Sequence, residues 1–369
     1  MKKILFLIHD LGHGGAEKVL VNLVNNMDPY KFDITVMALF GGGVNEQFLK
    51  SHIHYKTVFS KTFFGNSHIM KLFTPQFLHR WFIREHYDIE IAYLEGPAVR
   101  IVSGCLATDT KLCNWIHCTM RSKEEFCVGF RSMKEALECN KEFHSTVFVS
   151  KEVKTAFERY CSDTNGKVLY NTNESEKILK MADEPLNMIS GSCDEIRLIA
   201  VGKIEEVKGF DRLARVHKRL KVEGYNVHTY ILGDGNKRIE IENYLNKEGI
   251  TDSFTFLGYQ TNPYKFIKNA DVFVCSSYSE GFSTAATEAL IVGKPVVTTL
   301  VSGMKEMLGA NNEWGIITDN NENSLYKGIK QLLDDSELLA HYTKQAKIRG
   351  KTFSTGNTVK AVEDMLLNL

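Results

Sequence analysis

Between Ser276 and Pro295 the chain reads SSYSEGFSTAATEALIVGKP. The residues just before it, Val272 to Cys275, are apolar and suit a buried strand, while Ser283 to Val292 reads as a short helix with Gly293 and Pro295 as stop signals. A strand therefore runs through a tight loop into a helix start. Gly281 lets the backbone approach a ligand closely, and the N–H groups near Ser283, Thr284 and Ala285, at the positive end of the helix dipole, suit a phosphate. Glu280 in the loop and Glu288 about one turn into the helix bracket that anion site. Two carboxylates do not both sit on phosphates; each is better placed to accept hydrogen bonds from hydroxyls on either side of them. That arrangement fits a sugar at one end and a ribose at the other.

Length and composition narrow the classes. At 369 residues the chain has room for two domains with a core each, and its net charge of zero argues against nucleic acid as a partner. The apolar run Ile4 to Ile8 is too short for a signal-peptide core, and no stretch approaches the roughly 18 apolar residues of a spanning helix, so a cytoplasmic location is expected. The eight cysteines form no C-x-x-C pair and read as reduced, buried thiols.

The spacing E-x7-E from Glu280 to Glu288, followed by G-x-P, resembles the signature of retaining glycosyltransferases of the large bacterial family 4 type. The resemblance covers nearly the whole chain and implies the α/β GT-B architecture, two Rossmann-like parallel-sheet domains facing an interdomain cleft. The expected division is an N-terminal, acceptor-side domain over 1–171, a polar linker over 172–195, a nucleotide-sugar-binding domain over 196–350, and a helix over 351–369 that crosses back to the first domain.

Within the first domain, Ile4 to Ile8 suits a central strand, opening into Gly12-His13-Gly14-Gly15 and a helix from Ala16. The G-x-G-x-x-G fingerprint is missing, which argues against a dinucleotide site. GGAEK instead resembles the family's loop over the donor diphosphate and acceptor, making Gly14 and Gly15 binding residues by implication. His117, after the strand Lys111 to Ile116, resembles the family's N-domain histidine that faces the donor sugar. Between Glu46 and Glu85 no acidic residue occurs, while lysines and arginines alternate with Phe63, Phe64, Phe73, Phe77, Trp81 and Phe82. Residues 50–84 are accordingly expected either to lie on an anionic membrane surface, giving a peripheral location, or to fold as a helix pair burying those rings.

In the second domain Lys203 and Lys208 follow the strand Ile196 to Val201, where two cations can neutralise a diphosphate. The family usually has arginine at the position of Lys203; lysine keeps the charge but loses the bidentate fork. Gly233 marks the turn after the next strand, and Gly258-Tyr259 resembles the segment whose backbone holds the nucleobase. With Gly281, Phe282, Ser283, Thr284 and Glu288 these form the implied donor site, and Glu280, His117 and Lys208 the implied catalytic set. The chain has no D-x-D for holding a divalent cation, so neither metal nor cofactor is expected. The implied reaction moves a hexosyl group from a nucleotide diphosphate sugar, with UDP as the default base, to a hydroxyl of a lipid-linked or polysaccharide acceptor in surface-glycan synthesis. The alternatives are a nucleotide-sugar epimerase, which needs no acceptor, and a non-catalytic GT-B binding or scaffold protein.

Overall fold

A strand that is apolar at every position can be buried on both faces only if other elements cover both sides of its sheet, and Ile4, Leu5, Phe6, Leu7 and Ile8 are each 0% exposed. The computed structural model describes all residues except 13, 63–68, 163 and 187–193. It places these five in β1 (Lys2–Ile8), an inner strand of a seven-stranded sheet. The partners are β2 (Phe32–Phe40), β3 (His54–Phe59), β4 (Ile89–Tyr93), β5 (Lys111–Ile116), β6 (Ser145–Phe148) and β7 (Gly166–Val168). The order is β3-β2-β1-β4-β5-β6-β7, and every pair is parallel.

A second parallel sheet holds β8 (Ile196–Val201), β9 (Val227–Leu232), β10 (Phe254–Gly258), β11 (Val272–Cys275), β12 (Val296–Thr299) and β13 (Ile316–Thr318), ordered β10-β9-β8-β11-β12-β13. Leu198, Ala200, Val272, Val274 and Val297 from its strands pack with Leu213, Val216, Leu325 and Ile329 from the helices Phe210–Val222 and Glu322–Asp334. Each sheet reverses its winding once, between β1 and β4 in the first and between β8 and β11 in the second. Loops leaving the C-terminal ends of strands at such a reversal border a crevice, the usual ligand position in open α/β sheets. The fold is thus α/β with two Rossmann-like sheets, as the sequence implies.

The chain divides into two units, Met1–Asn173 with Thr355–Leu369, and Glu174–Ser354. The expected polar linker over 172–195 departs from this division. Its start, Thr172 and Asn173, is buried with the first unit, and the helix Ser175–Ala182 belongs to the second, turning Ile178 and Ala182 inward against the helices Tyr264–Asn269 and Thr284–Val292. The final helix spans Thr355–Leu367, and its Glu363 accepts the Asp28 N–H at 2.7 Å.

Residues 50–84 correct the expected helix pair. His54–Phe59 is an edge strand paired with β2, and the helix is Pro75–Phe82, of which only Leu78 is buried. Phe63 and Phe64 lie outside the described residues. Phe77 and Trp81 are each 49% exposed and Leu72 is 77% exposed, so these side chains are not core. Phe73 stacks on Phe77 at 5.0 Å between ring centroids, with Trp81 beside Phe77. The fully buried Arg100 holds the preceding turn by donating to the carbonyls of Met70, at 2.8 Å, and of Phe73. The cysteine reading also needs amendment: Cys193 lies outside the described residues, and of the other seven Cys118 is exposed and Cys105 and Cys127 are partly so.

Glu90 sits on inner strand β4, 2% exposed, which requires a partner. His79 Nε2 lies 2.8 Å from it, and the Cys105 thiol 4.0 Å from its other oxygen. Burial opposes charge on His79, but hydrogen bonds with Cys105 and Glu90 outweigh it and raise the imidazole to about 9. A histidine raised above its unfolded value of about 6.5 stabilises fully below that pH, and the contribution disappears as pH rises through the folded value. Urea titrations of the protein are therefore expected to show stability falling between pH 6.5 and 9, by about 1–3 kcal/mol. Glu90→Gln should flatten that slope; an unchanged slope in the variant would show that this pair is not its source.

Candidate active site

In the second unit the loops after β8, β9, β10 and β11 are tied to one another by backbone hydrogen bonds. Gly202 N–H donates to Leu232 O at 3.0 Å, Ile204 N–H to Asp234 O at 2.9 Å, and Gly233 N–H to Gly258 O at 2.8 Å. Tyr278 N–H donates to Val207 O at 2.8 Å, and the Ser276 hydroxyl to Lys208 O at 3.0 Å. These last two bonds bring the loop after β8 against the loop after β11. Gly209 makes the approach possible: its φ is +63°, and a Cβ there would lie 2.2 Å from Ser276 O.

The consequence is a contact between two side chains 72 residues apart in sequence: Lys208 Nζ lies 2.7 Å from Glu280 Oε1. The Ser277 hydroxyl donates to the same oxygen at 2.6 Å. Burial opposes the charge on Lys208, but Glu280 above all, with smaller help from Cys275 and Glu205, holds its pKa above the usual lysine value. Lys208 is thus a cation at any working pH. Glu280 accepts twice on one oxygen, and among the described hydrogen bonds none engages its Oε2, which leaves acceptor capacity for a hydroxyl.

Ser283 is the N-cap of the helix Thr284–Val292, its Oγ accepting the Ala286 N–H at 3.3 Å. The N–H groups of Thr284 and Ala285 precede the first intrahelical bonds and donate in no described hydrogen bond. Glu280, Gly281 and this helix start therefore share one loop, with Lys208 joined to it. Glu288, within the helix, is 3% exposed and accepts from the Tyr264 hydroxyl at 3.1 Å. The ring of Phe282 is buried and meets Phe353 edge-on at 5.9 Å, so its side chain serves packing. Tyr259 is 68% exposed beside Gly258. Lys203 is equally open, 67% exposed, and pairs with Glu205 of its own loop; no described interaction links it to Lys208 or Glu280.

In the first unit Gly14 is the N-cap of the helix Gly15–Asn26 and offers no side-chain cap. Glu17, in its first turn, is raised above the usual carboxylate range chiefly by burial. His117, at the C-terminal end of β5, is 7% exposed and lies 4.7 Å from the Tyr93 ring. Burial lowers its imidazole to about 3, so it is neutral at physiological pH and acts as a hydrogen-bonding group rather than a cation. Among the described residues its Nε2 has no hydrogen-bond partner, and the same holds for the buried Tyr93 Oη, Trp115 Nε1 and Thr119 Oγ1. Buried polar atoms left without partners cost about 1–3 kcal/mol each, so four of them along the ends of β4 and β5 call for water or a polar ligand there.

Three contributors had weaker signals in the sequence. Ser277 is one serine in SSYS, distinguished only by its hydrogen bond to Glu280. Tyr264 reaches Glu288 from 24 residues away. Glu95, two residues past the end of β4, accepts the backbone N–H groups of both His117 and Cys118.

Residues 191–349 match the family model described as glycosyl transferases group 1. Over 378 residues and 99% of both chains, the protein is 26% identical to the N-acetylgalactosamine-N,N'-diacetylbacillosaminyl-diphospho-undecaprenol 4-alpha-N-acetylgalactosaminyltransferase of Campylobacter jejuni. It is 26% identical over 176 residues, 48% of this chain and 49% of the relative, to the lipopolysaccharide core biosynthesis glycosyltransferase LpsD of Rhizobium meliloti. Among solved structures, Anabaena HepE in complex with UDP-glucose superposes with a TM-score of 0.75 at 19% identity, covering 100% of each chain.

The close approach at Gly209 gives a direct test. Gly209→Ala is expected to cost about 2–3 kcal/mol in urea denaturation, because both the positive φ and the Ser276 carbonyl oppose a methyl group. Gly224→Ala, at φ +89° with nothing within 4 Å, carries only the backbone term and should cost roughly 1 kcal/mol. Equal losses would show that the Ser276 carbonyl yields without penalty.

Proposed function

We propose that this chain, whose residues 191–349 match the glycosyl transferases group 1 model and whose fold is GT-B, is a retaining glycosyltransferase that takes a hexosyl group from a UDP-sugar. The acceptor is the hydroxyl of a lipid-linked glycan in surface-polysaccharide assembly. The observation that carries the reading is the Lys208–Glu280–Ser277 cluster at the loop that starts the Thr284–Val292 helix. It combines a fixed cation, a carboxylate with spare acceptor capacity and free helix N–H groups, which are the parts needed to hold a diphosphate beside a sugar.

As the bond between the anomeric carbon and the diphosphate breaks, negative charge grows on the leaving phosphate. Lys208 and the Thr284 and Ala285 N–H groups stabilise that charge, so the protein supplies what a divalent cation would otherwise supply. Glu280 Oε2 orients sugar hydroxyls, Glu288 serves the ribose, and Gly233, Gly258 and Tyr259 serve the base. Gly14, Gly15 and neutral His117 complete the set on the first unit's strand ends, with His117 meeting the transferred sugar. Lys203, exposed and paired with Glu205, adds charge to the phosphate approach. The C. jejuni relative, by its name, acts on a diphospho-undecaprenol-linked substrate, which supports the lipid-linked acceptor.

The 69–84 surface supports a peripheral membrane role. Leu72, Phe77 and Trp81 are exposed beside Lys71, Arg80 and Arg84, and the buried Arg100 fixes the turn that presents them. Among the described residues no helix is long and apolar enough to cross a membrane.

Purified protein should release UDP from one member of a UDP-sugar panel only when an undecaprenyl-diphosphate-linked acceptor is added, in excess chelator, with the product retaining the donor's anomeric configuration. Sugar isomerisation without acceptor, or absence of nucleotide-sugar binding, would overturn the proposal in favour of an epimerase or another ligand. Glu280→Ala and Lys208→Ala should each slow transfer by about tenfold or more with the fold intact. The double variant Phe77→Ser/Trp81→Ser should lose sedimentation with phosphatidylglycerol vesicles while keeping activity on a short-chain acceptor in solution; equal sedimentation of the wild type and variant would remove this surface from membrane binding.

A further inference from the structure

The turn after β4 is held in an unusual conformation. Leu94 has φ +144° and Gly96 φ +87°, and Gly129 packs against them so closely that a Cβ on it would lie 2.6 Å from the Gly96 carbonyl carbon. A leucine at such a φ persists only where its surroundings enforce it. The turn delivers the Glu95 carboxylate to the end of the neighbouring strand. Glu95 Oε1 accepts the N–H of His117 at 2.5 Å and that of Cys118 at 2.6 Å.

β4 and β5 are paired through Tyr93 and Trp115, the last residue pair of their ladder. Two residues further along β5's direction the backbone has left the ladder, and the Glu95 side chain supplies the acceptor that β4's backbone no longer offers. The loop so held carries His117 and Thr119, whose buried Nε2 and Oγ1 have no partners among the described residues, and it lies beside Tyr93 and Trp115, whose Oη and Nε1 likewise have none there.

We propose that Glu95 is a positioning residue of the transfer reaction: by accepting both N–H groups it fixes the 117–119 loop and sets His117 for the transferred sugar. This rests on the reading of His117 given above. Glu95 itself contacts no substrate; it acts through the histidine. The function needs a hydrogen-bond acceptor that spans two amides, not a charge as such. Glutamine, with a carbonyl oxygen of the same reach, keeps the function, and alanine loses it.

A double-mutant cycle on the full chain tests this, with UDP release from the sugar donor selected by the panel as the rate and UDP affinity by calorimetry as a control. Glu95→Ala and His117→Ala are each expected to lower kcat by about tenfold or more, while Glu95→Gln stays within about threefold of wild type. In the His117→Ala background, Glu95→Ala should cost nothing further, and UDP affinity should be unchanged throughout. If Glu95→Ala unfolds, as read by its melting curve, Glu95→Asp, too short to span both amides, takes its place under the same criteria. A full additional loss in the His117→Ala background, a wild-type rate for Glu95→Ala, or Glu95→Gln as slow as alanine would each overturn the proposal. A wild-type rate for His117→Ala would instead remove His117 from the reaction, and the positioning role with it; a panel in which no donor is turned over would overturn the transferase reading itself.

Discussion

Parallel pairing is the constraint on which the rest depends. Every strand pair in both sheets is parallel, so each return of the chain must cross a face of its sheet before the next strand begins. All strands of a sheet therefore end at one edge, and the loops that leave them are neighbours whatever their distance in sequence. Where the winding reverses, two of those loops diverge and leave room. Lys208 follows β8 and Glu280 follows β11, the two strands at the reversal point of the second sheet, which is why residues so far apart in the chain meet. Glu95 and His117 follow β4 and β5 at the corresponding edge of the first sheet.

The two units use these edges with opposite electrostatics. In the second, desolvation of Lys208 is offset by Glu280, and the lysine remains charged while an acceptor oxygen of Glu280 stays available. In the first, desolvation of His117 has no such offset, and the imidazole is neutral. One edge thus presents a charged ammonium group and the other a neutral imidazole. Burial produces both results; the presence or absence of a counter-ion decides between them.

The 50–84 region shows how composition can mislead about structure while still pointing to a surface. Its lysines and aromatics suggested either a membrane-facing segment or a helix pair, yet the first part is an edge strand whose side chains are mostly half-exposed or exposed. An edge strand carries little of the two-fold apolar alternation by which strands are read, since neither face is fully covered. The exposed rings on Pro75–Phe82 pack against one another and against Phe73 instead of entering the core, and Arg100 with Glu135 anchors the turn before them.

By itself, the sequence determined the parallel α/β class, through apolar runs that only doubly covered strands tolerate, and the loop of Glu280 to Thr284, whose chemistry is local: a strand end, a glycine and a helix start within nine residues. Helix caps and buried strands are set by neighbours along the chain, so they can be read along it. Only the tertiary structure decided that Lys208 and Ser277 share one oxygen of Glu280, that Tyr264 meets Glu288, that Phe282 is packing, and that Glu95 holds the His117 loop. It also decided that residues 174–186 join the second unit. Those contacts depend on strand order, and strand order comes from which crossovers bury the most apolar surface, a property of the whole sheet that no local window of residues contains.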